Sequence, residues 1–237
     1  MASVQEADMK RFWDLKAQED AFYFVDSRQD YRNTDLEQFW AEGEESLDYA
    51  LGLVEANVQP SDTVLEIGCG VGRLTRVLAR RAAHVLALDI SEAMLARARE
   101  LNSEFENVDW LQGDGKSLAG LDDGCADGCV SIVVFQHIPD PDITFGYIRE
   151  IGRVLRPGGW AAIHVSTDPT VHSLRPSVKD RLRAMVGRAP RGRTNPAWLG
   201  SAVELDDVRE AAREGGLEIE KVWGAGTQYC LLRLRRR

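Results

Sequence analysis

The chain has 237 residues, of which 44% are hydrophobic and 28% charged, ordinary proportions for a globular protein and room for one large α/β domain or one domain with appendages. No apolar run approaches the roughly 18 residues of a membrane span, and the charged stretch Ser3 to Asp20 does not resemble a signal peptide, so a cytoplasmic protein with no membrane partner is expected. The formal net charge of −9 works against a nucleic-acid partner.

Residues 1–60 carry that excess, with 14 acids and 5 bases; the remainder balances at 24 and 24. The segment reads as mostly helical. Leu36, Phe39, Trp40, Leu47, Ala50, Leu51 and Val54 recur at helical spacing, downstream of an aromatic patch of Phe12, Trp13, Phe22, Tyr23 and Phe24. Pro60-Ser61-Asp62 ends this region. Strands and helices then alternate: strand Thr63–Ile67, helix Gly72–Ala82, strand His84–Asp89, helix Glu92–Leu101 and strand Val108–Gln112. A loop rich in Gly and Asp leads to strand Gly128–Phe135 and helix Ile143–Leu155. Arg156 to Gly159 is a turn before strand Trp160–Ser166. The alternation implies a parallel sheet with right-handed crossovers.

The tail departs from this rhythm. Asp168 to Ser201 holds four of the eight prolines and seven bases, and reads as an insertion with a short helix around Ser177–Val186. Helix Leu205–Glu214, the Gly215-Gly216 stop, strand Leu217–Val222 and strand Gln228–Leu234 follow, the last two as a hairpin. The basic strip within the insertion reads as solvated surface, since no aromatic interleaving marks a nucleic-acid face. The four cysteines, Cys69, Cys125, Cys129 and Cys230, match no zinc spacing, and no metal site is expected.

The glycine turn Gly68-Cys69-Gly70-Val71-Gly72 follows the first strand. A phosphate-binding P-loop needs Lys and then Ser or Thr after its last glycine; Arg73 and Leu74 stand there. The dinucleotide fingerprint places its third glycine one residue later. The neighbours favour another ligand. Glu66, facing the crevice, suits a cation better than a pyrophosphate. Asp89, at the end of the second strand, can accept from both ribose hydroxyls. Asp114 can accept from an exocyclic amine, and Gly115 can offer its N–H to a ring. Acids for ribose, base and a cationic end, with no phosphate clamp, fit S-adenosylmethionine.

The runs "LEIGCGVGRLT", "ALDISEAMLARAR", "LQGDG", "DGCVSIVVFQHIPD" and "LRPGGWAAIHV" resemble the successive motifs of class I S-adenosylmethionine-dependent methyltransferases of the small-molecule type, over about residues 61–166. The resemblance implies an α/β, Rossmann-like seven-stranded sheet of order 3-2-1-4-5-7-6, with an antiparallel seventh strand and helices on both faces. It divides the chain into a helical lid or cap over 1–60 and a methyltransferase domain over 61–237, with the insertion at about 168–201. It implies Gly68 and Gly70 beside the methionine part, Asp89 on the ribose, Ile90 and Met94 against adenine, Asp114 on the adenine amine, and Phe135 near the cofactor. S-adenosyl-L-homocysteine would be the product and a small molecule the acceptor, by in-line substitution at an N, O or C atom.

Methyl transfer asks the protein to align the acceptor, exclude water and sometimes remove a proton. His137, after the fourth strand, is the candidate general base, against a purely structural role for the same residue. Tyr23 is a candidate for the cofactor carboxylate, within a lid formed by Trp13, Phe22, Tyr23 and Phe24. His172, Arg175, Arg193 and Trp198 are candidates for the opposite wall. The Asn/Asp-Pro-Pro-aromatic run of nucleic-acid amino methyltransferases is absent after strand four. A cofactor-binding accessory protein, a methyltransferase acting on a macromolecule and, more remotely, a nicotinamide oxidoreductase are the alternatives. Oligomeric state is not legible.

Overall fold

The computed structural model describes residues 4–173, 184 and 189–237. Helix α1 spans Val4–Val25 and α2 Leu36–Leu53. The body follows as β1 (Thr63–Ile67), α3 (Thr75–Arg81), β2 (His84–Asp89), α4 (Glu92–Leu101), β3 (Val108–Gln112), β4 (Ala126–Ser131), α5 (Pro141–Val154) and β5 (Leu155–Val165). The chain closes with a single helical turn Pro196–Leu199, helix α6 (Leu205–Glu214), β6 (Leu217–Trp223) and β7 (Cys230–Arg236). The seven strands form one sheet in the order β3-β2-β1-β4-β5-β7-β6. β1 to β5 run parallel, whereas β7 pairs antiparallel with both β5 and β6.

The expected sheet order, antiparallel last strand and hairpin are therefore present. Five of the expected elements, β1, β2, β3, α4 and α6, have the predicted bounds. The helix around Ser177–Val186, like Arg175, falls outside the described residues apart from residue 184.

Two apolar layers sandwich the sheet. On one side, Tyr147, Ile148, Ile151 and Val154 of α5 and Val208, Ala211 and Ala212 of α6 pack on Leu65, Ile67, Ile163, Val165, Leu232 and Leu234. On the other, Leu47, Ala50 and Leu51 of α2 and Val77 and Leu78 of α3 pack on Val64, Val85, Val130 and Ala162. Neighbouring residues of a strand point to opposite faces, so Val64 and Leu65 fall in different layers. This double burial explains the near-continuous apolar strands.

Local signals set the helix ends. Asp35, Ser91 and Asp140 accept from the backbone N–H of Gln38, Met94 and Asp142, so each caps its helix. Pro141 occupies the first position of α5, where a missing N–H costs nothing. α1 is broken at Asp20, whose backbone is extended and whose carboxylate accepts from Tyr23 N at 3.2 Å. α1 is held to the body by Asp14: one carboxylate oxygen accepts from Ser91 Oγ at 2.7 Å and Ala93 N at 3.2 Å. That carboxylate sits at the start of α4, the end that favours negative charge. Among the described residues, no helix is long and apolar enough to cross a membrane.

The other elements shift at their ends from the sequence reading, β4 and β5 by the most. β4 stops at Ser131 instead of Phe135, because Val133 adopts φ +61° and turns the chain into a short 3-10 helix at Phe135–His137. β5 begins at Leu155: Ala126 pairs with Leu155 and Gly128 with Trp160, so the expected turn at Arg156–Gly159 survives as an excursion within the strand.

α5 and the end of α6 touch through glycine. A Cβ on Gly152 would stand 1.9 Å from the Gly215 carbonyl oxygen, whereas one on Gly52, near the end of α2, would meet nothing within 4 Å. Gly152→Ala is expected to destabilise the protein by about 1–3 kcal/mol through overpacking. Gly52→Ala should stabilise it by about 0.4–1 kcal/mol by restricting the unfolded chain. Urea unfolding of both variants beside the parent protein checks the opposite signs.

Candidate functional site

Strand order reverses at β1, whose neighbours are β2 and β4. A crevice opens at the carboxyl ends of the strands at such a reversal. The turn after β1 fills its floor. Gly68, Gly70 and Gly72 have φ of +78°, +55° and +84°, which residues with a side chain rarely adopt. A Cβ on Gly68 would lie 2.4 Å from Val134, and one on Gly70 2.7 Å from Val25. Gly68 N donates to the Leu88 carbonyl at 2.7 Å, and Gly70 N donates to Asp89 Oδ2 at 2.8 Å. Asp89 Oδ1 accepts from Ser91 N at 2.9 Å. One carboxylate thus joins the turn after β1 to the start of α4.

Above this floor lies a cavity of about 140 Å³. Its walls include Glu66, Gly68, Cys69, Gly70, Asp89, Ile90, Met94, Gly113 and Gly115, and its roof is Met9, Trp13, Phe24 and Val25 of α1. Glu66 is buried and accepts from Thr75 Oγ1 at 2.5 Å; its other oxygen has no donor among the described residues. Burial pushes the Glu66 carboxyl up to about 7, against the Thr75 hydrogen bond. Burial, with Asp89 and Glu66 nearby, pushes the Cys69 thiol well above its ordinary value, so it is not a thiolate.

A second, larger cavity of about 870 Å³ adjoins the first. The two share Phe24, Val25, Arg73, Ile132, Val133 and His137. The far walls of the larger one come from Arg28, Tyr49, His164, His172, Arg193, Trp198, Trp223 and Tyr229, among others.

The histidines of this wall are fixed by their partners. His137 Nδ1 donates to the Trp198 carbonyl at 2.7 Å, and its Nε2 faces the Gln136 amide nitrogen at 3.2 Å. Gln136 in turn accepts from Gln228 Nε2 at 3.2 Å. His164 Nδ1 accepts from Val133 N at 3.1 Å, and its Nε2 donates to the Gln228 carbonyl at 2.9 Å. Burial lowers both imidazoles to about 4. Both rings are neutral at physiological pH, and the Nε2 lone pair of His137 is taken by the Gln136 amide. His164 has a second effect, since it holds the N–H of Val133, the β-branched residue at φ +61° that lines both cavities.

Of the residues singled out from sequence, Glu66, Gly68, Gly70, Asp89, Ile90, Met94, Gly115 and His137 converge on the smaller cavity. Three are placed elsewhere. Tyr23 is buried against Phe24 and Tyr31, because the break at Asp20 restarts the helix and presents Phe24 and Val25 to the cavity instead. Asp114 is exposed; its carboxylate accepts from Lys116 N, Ser117 N and Ser117 Oγ at 2.7–2.9 Å, closing a local turn. Phe135 is 2% exposed and packs in the core beside Tyr147, because β4 ends before reaching it. Trp13 and Phe24 line the smaller cavity, while Phe22 packs on Phe39. His172, Arg193 and Trp198 line the larger cavity as expected. Met9, Asp14, Val25, Arg73 and Val133 carry no local sequence signal; only the tertiary arrangement brings them in.

Comparison with known proteins agrees with this geometry. A methyltransferase-domain family model matches residues 65–163. The chain is 30% identical over 167 residues to the biotin biosynthesis bifunctional protein BioHC of Teredinibacter turnerae, covering 66% of this chain and 26% of that protein. It is 32% identical over 168 residues to the ubiquinone biosynthesis O-methyltransferase of Thiobacillus denitrificans, covering 68% of this chain and 66% of the relative. The chain thus spans less than two thirds of the length of these relatives. Among solved structures, phosphoethanolamine N-methyltransferase 1 of Haemonchus contortus, bound to phosphoethanolamine and S-adenosylhomocysteine, shares the fold. The TM-score is 0.69 at 16% identity, covering 99% of this chain and 49% of that one. The sheet order, the glycine turn with its carboxylates and these likenesses together show that the chain belongs to the class I S-adenosylmethionine-dependent methyltransferases.

Proposed function

We propose that this protein transfers the methyl group of S-adenosylmethionine to an oxygen atom of a small-molecule acceptor. The observation that carries the reading is the pair of adjoining cavities, one floored by the glycine turn and carboxylates, the other larger, meeting at Val133 and His137. The donor set of the smaller cavity suits the cofactor: Glu66 for a cationic end, Asp89 for ribose hydroxyls, Ile90 and Met94 for the faces of a base, and Gly68 and Gly70 for close backbone approach. No phosphate-binding lysine stands in that lining.

S-adenosylmethionine, when bound, supplies an electrophilic methyl on a sulfonium, and the thioether leaves as the acceptor's lone pair forms the new bond. The chain's own residues do the rest. The shared wall sets the acceptor opposite the methyl, which is the larger part of such a catalyst's contribution. His137 Nε2, exchanging the Gln136 amide for the acceptor's hydroxyl, accepts a hydrogen bond from it, orients its lone pair and takes up the proton the oxygen sheds on methylation. An imidazole near pKa 4 is a poor base for a resting hydroxyl, so the proton moves late. Trp198, through its carbonyl, keeps His137 in the tautomer this needs. Met9, Trp13, Phe24 and Val25 exclude water from the reacting centre. The O-methyltransferase named among the relatives supports oxygen over nitrogen, as does a hydrogen-bond acceptor at the shared wall.

Two outcomes test this. Isothermal titration should show that the cofactor binds, and that affinity rises as pH rises. Glu66 takes a proton in the free protein up to about pH 7, whereas a cationic ligand favours its ionised form. Between pH 6 and 8 the ionised fraction grows by about tenfold, and affinity follows it. Glu66→Gln should remove this part of the dependence, leaving that of the cofactor's own amine. His137→Ala should lower labelled-methyl transfer to hydroxylated acceptors more than tenfold, with cofactor affinity unchanged. Equal turnover at saturating acceptor would remove His137 from the mechanism, and a preference for amines over matched hydroxyl compounds would overturn the assignment to oxygen.

A further inference from the structure

The larger cavity has an unusual charge balance. Arg28, Arg73 and Arg193 line it, and Asp26 is its one acid. Asp26 Oδ2 lies 2.6 Å from Arg28 Nη2 and 3.1 Å from Arg73 Nη1, so one carboxylate serves two guanidiniums. Glu42, outside the lining, stands 3.7 Å from Arg28. Arg193 is exposed and has no carboxylate partner among the described residues. Among the described residues, three bases against two acids leave the balance positive. Glu66 is across the shared wall, where a cationic cofactor would answer its charge.

Arg73 is the residue least explained by structure alone. It is 7% exposed, yet beyond Asp26 its only hydrogen-bond contact among the described residues is Ser46 Oγ at 3.5 Å. Its Nε is buried with no partner, whereas Nη2, which also lacks a partner among the described residues, is not so enclosed. A buried guanidinium with most of its donors unused is costly unless something fills them. Burial also holds its pKa below the ordinary arginine value, a penalty that an arriving anion relieves. Arg73 lines both cavities, so an anion there lies beside the transfer wall.

The rest of the cavity is aromatic. At its mouth Tyr49 is 64% exposed, Tyr229 55% and Trp223 39%. Tyr49 and Trp223 meet edge to face, and Tyr229 stacks on His164. Exposed rings gathered around an opening mark a place for a flat apolar body.

We propose that the acceptor is an aromatic monocarboxylic acid, its ring between the aromatic walls and its carboxylate on Arg73 Nη2, within the field of Arg28 and Arg193. Arg73 Nη2, a single planar donor group beside Asp26, suits a carboxylate better than a phosphate dianion. This rests on the methyl-transfer reading only in taking the larger cavity as the acceptor's, and binding tests it without turnover.

The test is isothermal titration of the full chain, saturated with S-adenosylhomocysteine, with matched pairs: 4-hydroxybenzoate and its amide, 4-hydroxyphenylacetate and its amide, and 4-hydroxyphenyl phosphate as the dianion. In at least one pair the acid should bind about tenfold or more tightly than the amide, as charge-assisted hydrogen bonds require, and better than the phosphate. Arg193→Ala, at an exposed position, should narrow the acid-to-amide ratio, and Asp26→Asn should widen it by removing the competing carboxylate. Arg73→Gln should abolish the ratio, with thermal melting confirming that the variant is folded. Amides binding as well as acids, phosphate binding best, no acid binding at millimolar concentration, or a ratio unmoved by Asp26→Asn would each overturn the proposal. Failure to bind S-adenosylhomocysteine itself would instead defeat the cofactor reading, and the same titrations separate the two.

Discussion

The site hangs on the hydrogen bond from the Gly70 amide to Asp89. Gly70 can aim its N–H only because its φ is +55°, and Asp89 reaches it only because β1 and β2 pair in parallel with Ile67 opposite Leu88. The contact fixes how far the turn after β1 stands from the end of β2, and hence the width of the smaller cavity. Ser91 N on the other carboxylate oxygen carries the same constraint into α4, and Asp14 on Ser91 carries it into α1. Floor, side and roof are one connected network. Disturbing Asp89 therefore disturbs more than one ligand contact.

Electrostatic character changes sharply across the wall between the cavities. On the smaller side stand Glu66 and Asp89, both raised in pKa by burial, so that a cation beside them favours their charged forms. On the larger side stand arginines that outnumber their acids, and imidazoles that burial keeps neutral. A cationic ligand and an anionic one would each be drawn to a different side of Val133. That division selects orientation without any moving part, because each ligand would be repelled from the other's chamber.

Much of the fold was legible because its signals are local. Alternation of apolar strands with capped helices, the Ser91 and Asp140 caps and the glycine turn all act within a few residues, and they locate β1, β2, β3 and α4 at their observed bounds. The strand that ends early shows the limit: nothing in Val130 to Phe135 announces that Val133 will turn at positive φ, since the cause is His164, 31 residues away. Phe135 was drawn toward the cofactor for that reason. Tyr23 lies outside the cavity lining because the break at Asp20 depends on a carboxylate closing back on its own helix, which the sequence does not announce. Asp114 satisfies itself within three residues, a use of aspartate as ordinary as ligand binding. Arg73 was passed over as the residue that spoils a P-loop, and only burial and its unused donors reveal it.

Val133 has a broader consequence. A β-branched residue in the left-handed region is a standing expense of about 1–3 kcal/mol, tolerated because its surroundings dictate it. A glycine there would be more comfortable and the whole molecule sturdier. Laboratory selection for heat resistance alone would drift toward that exchange, and in doing so would remove the side chain that lines both cavities. Robustness and the shape of the shared wall are set against each other at this one residue.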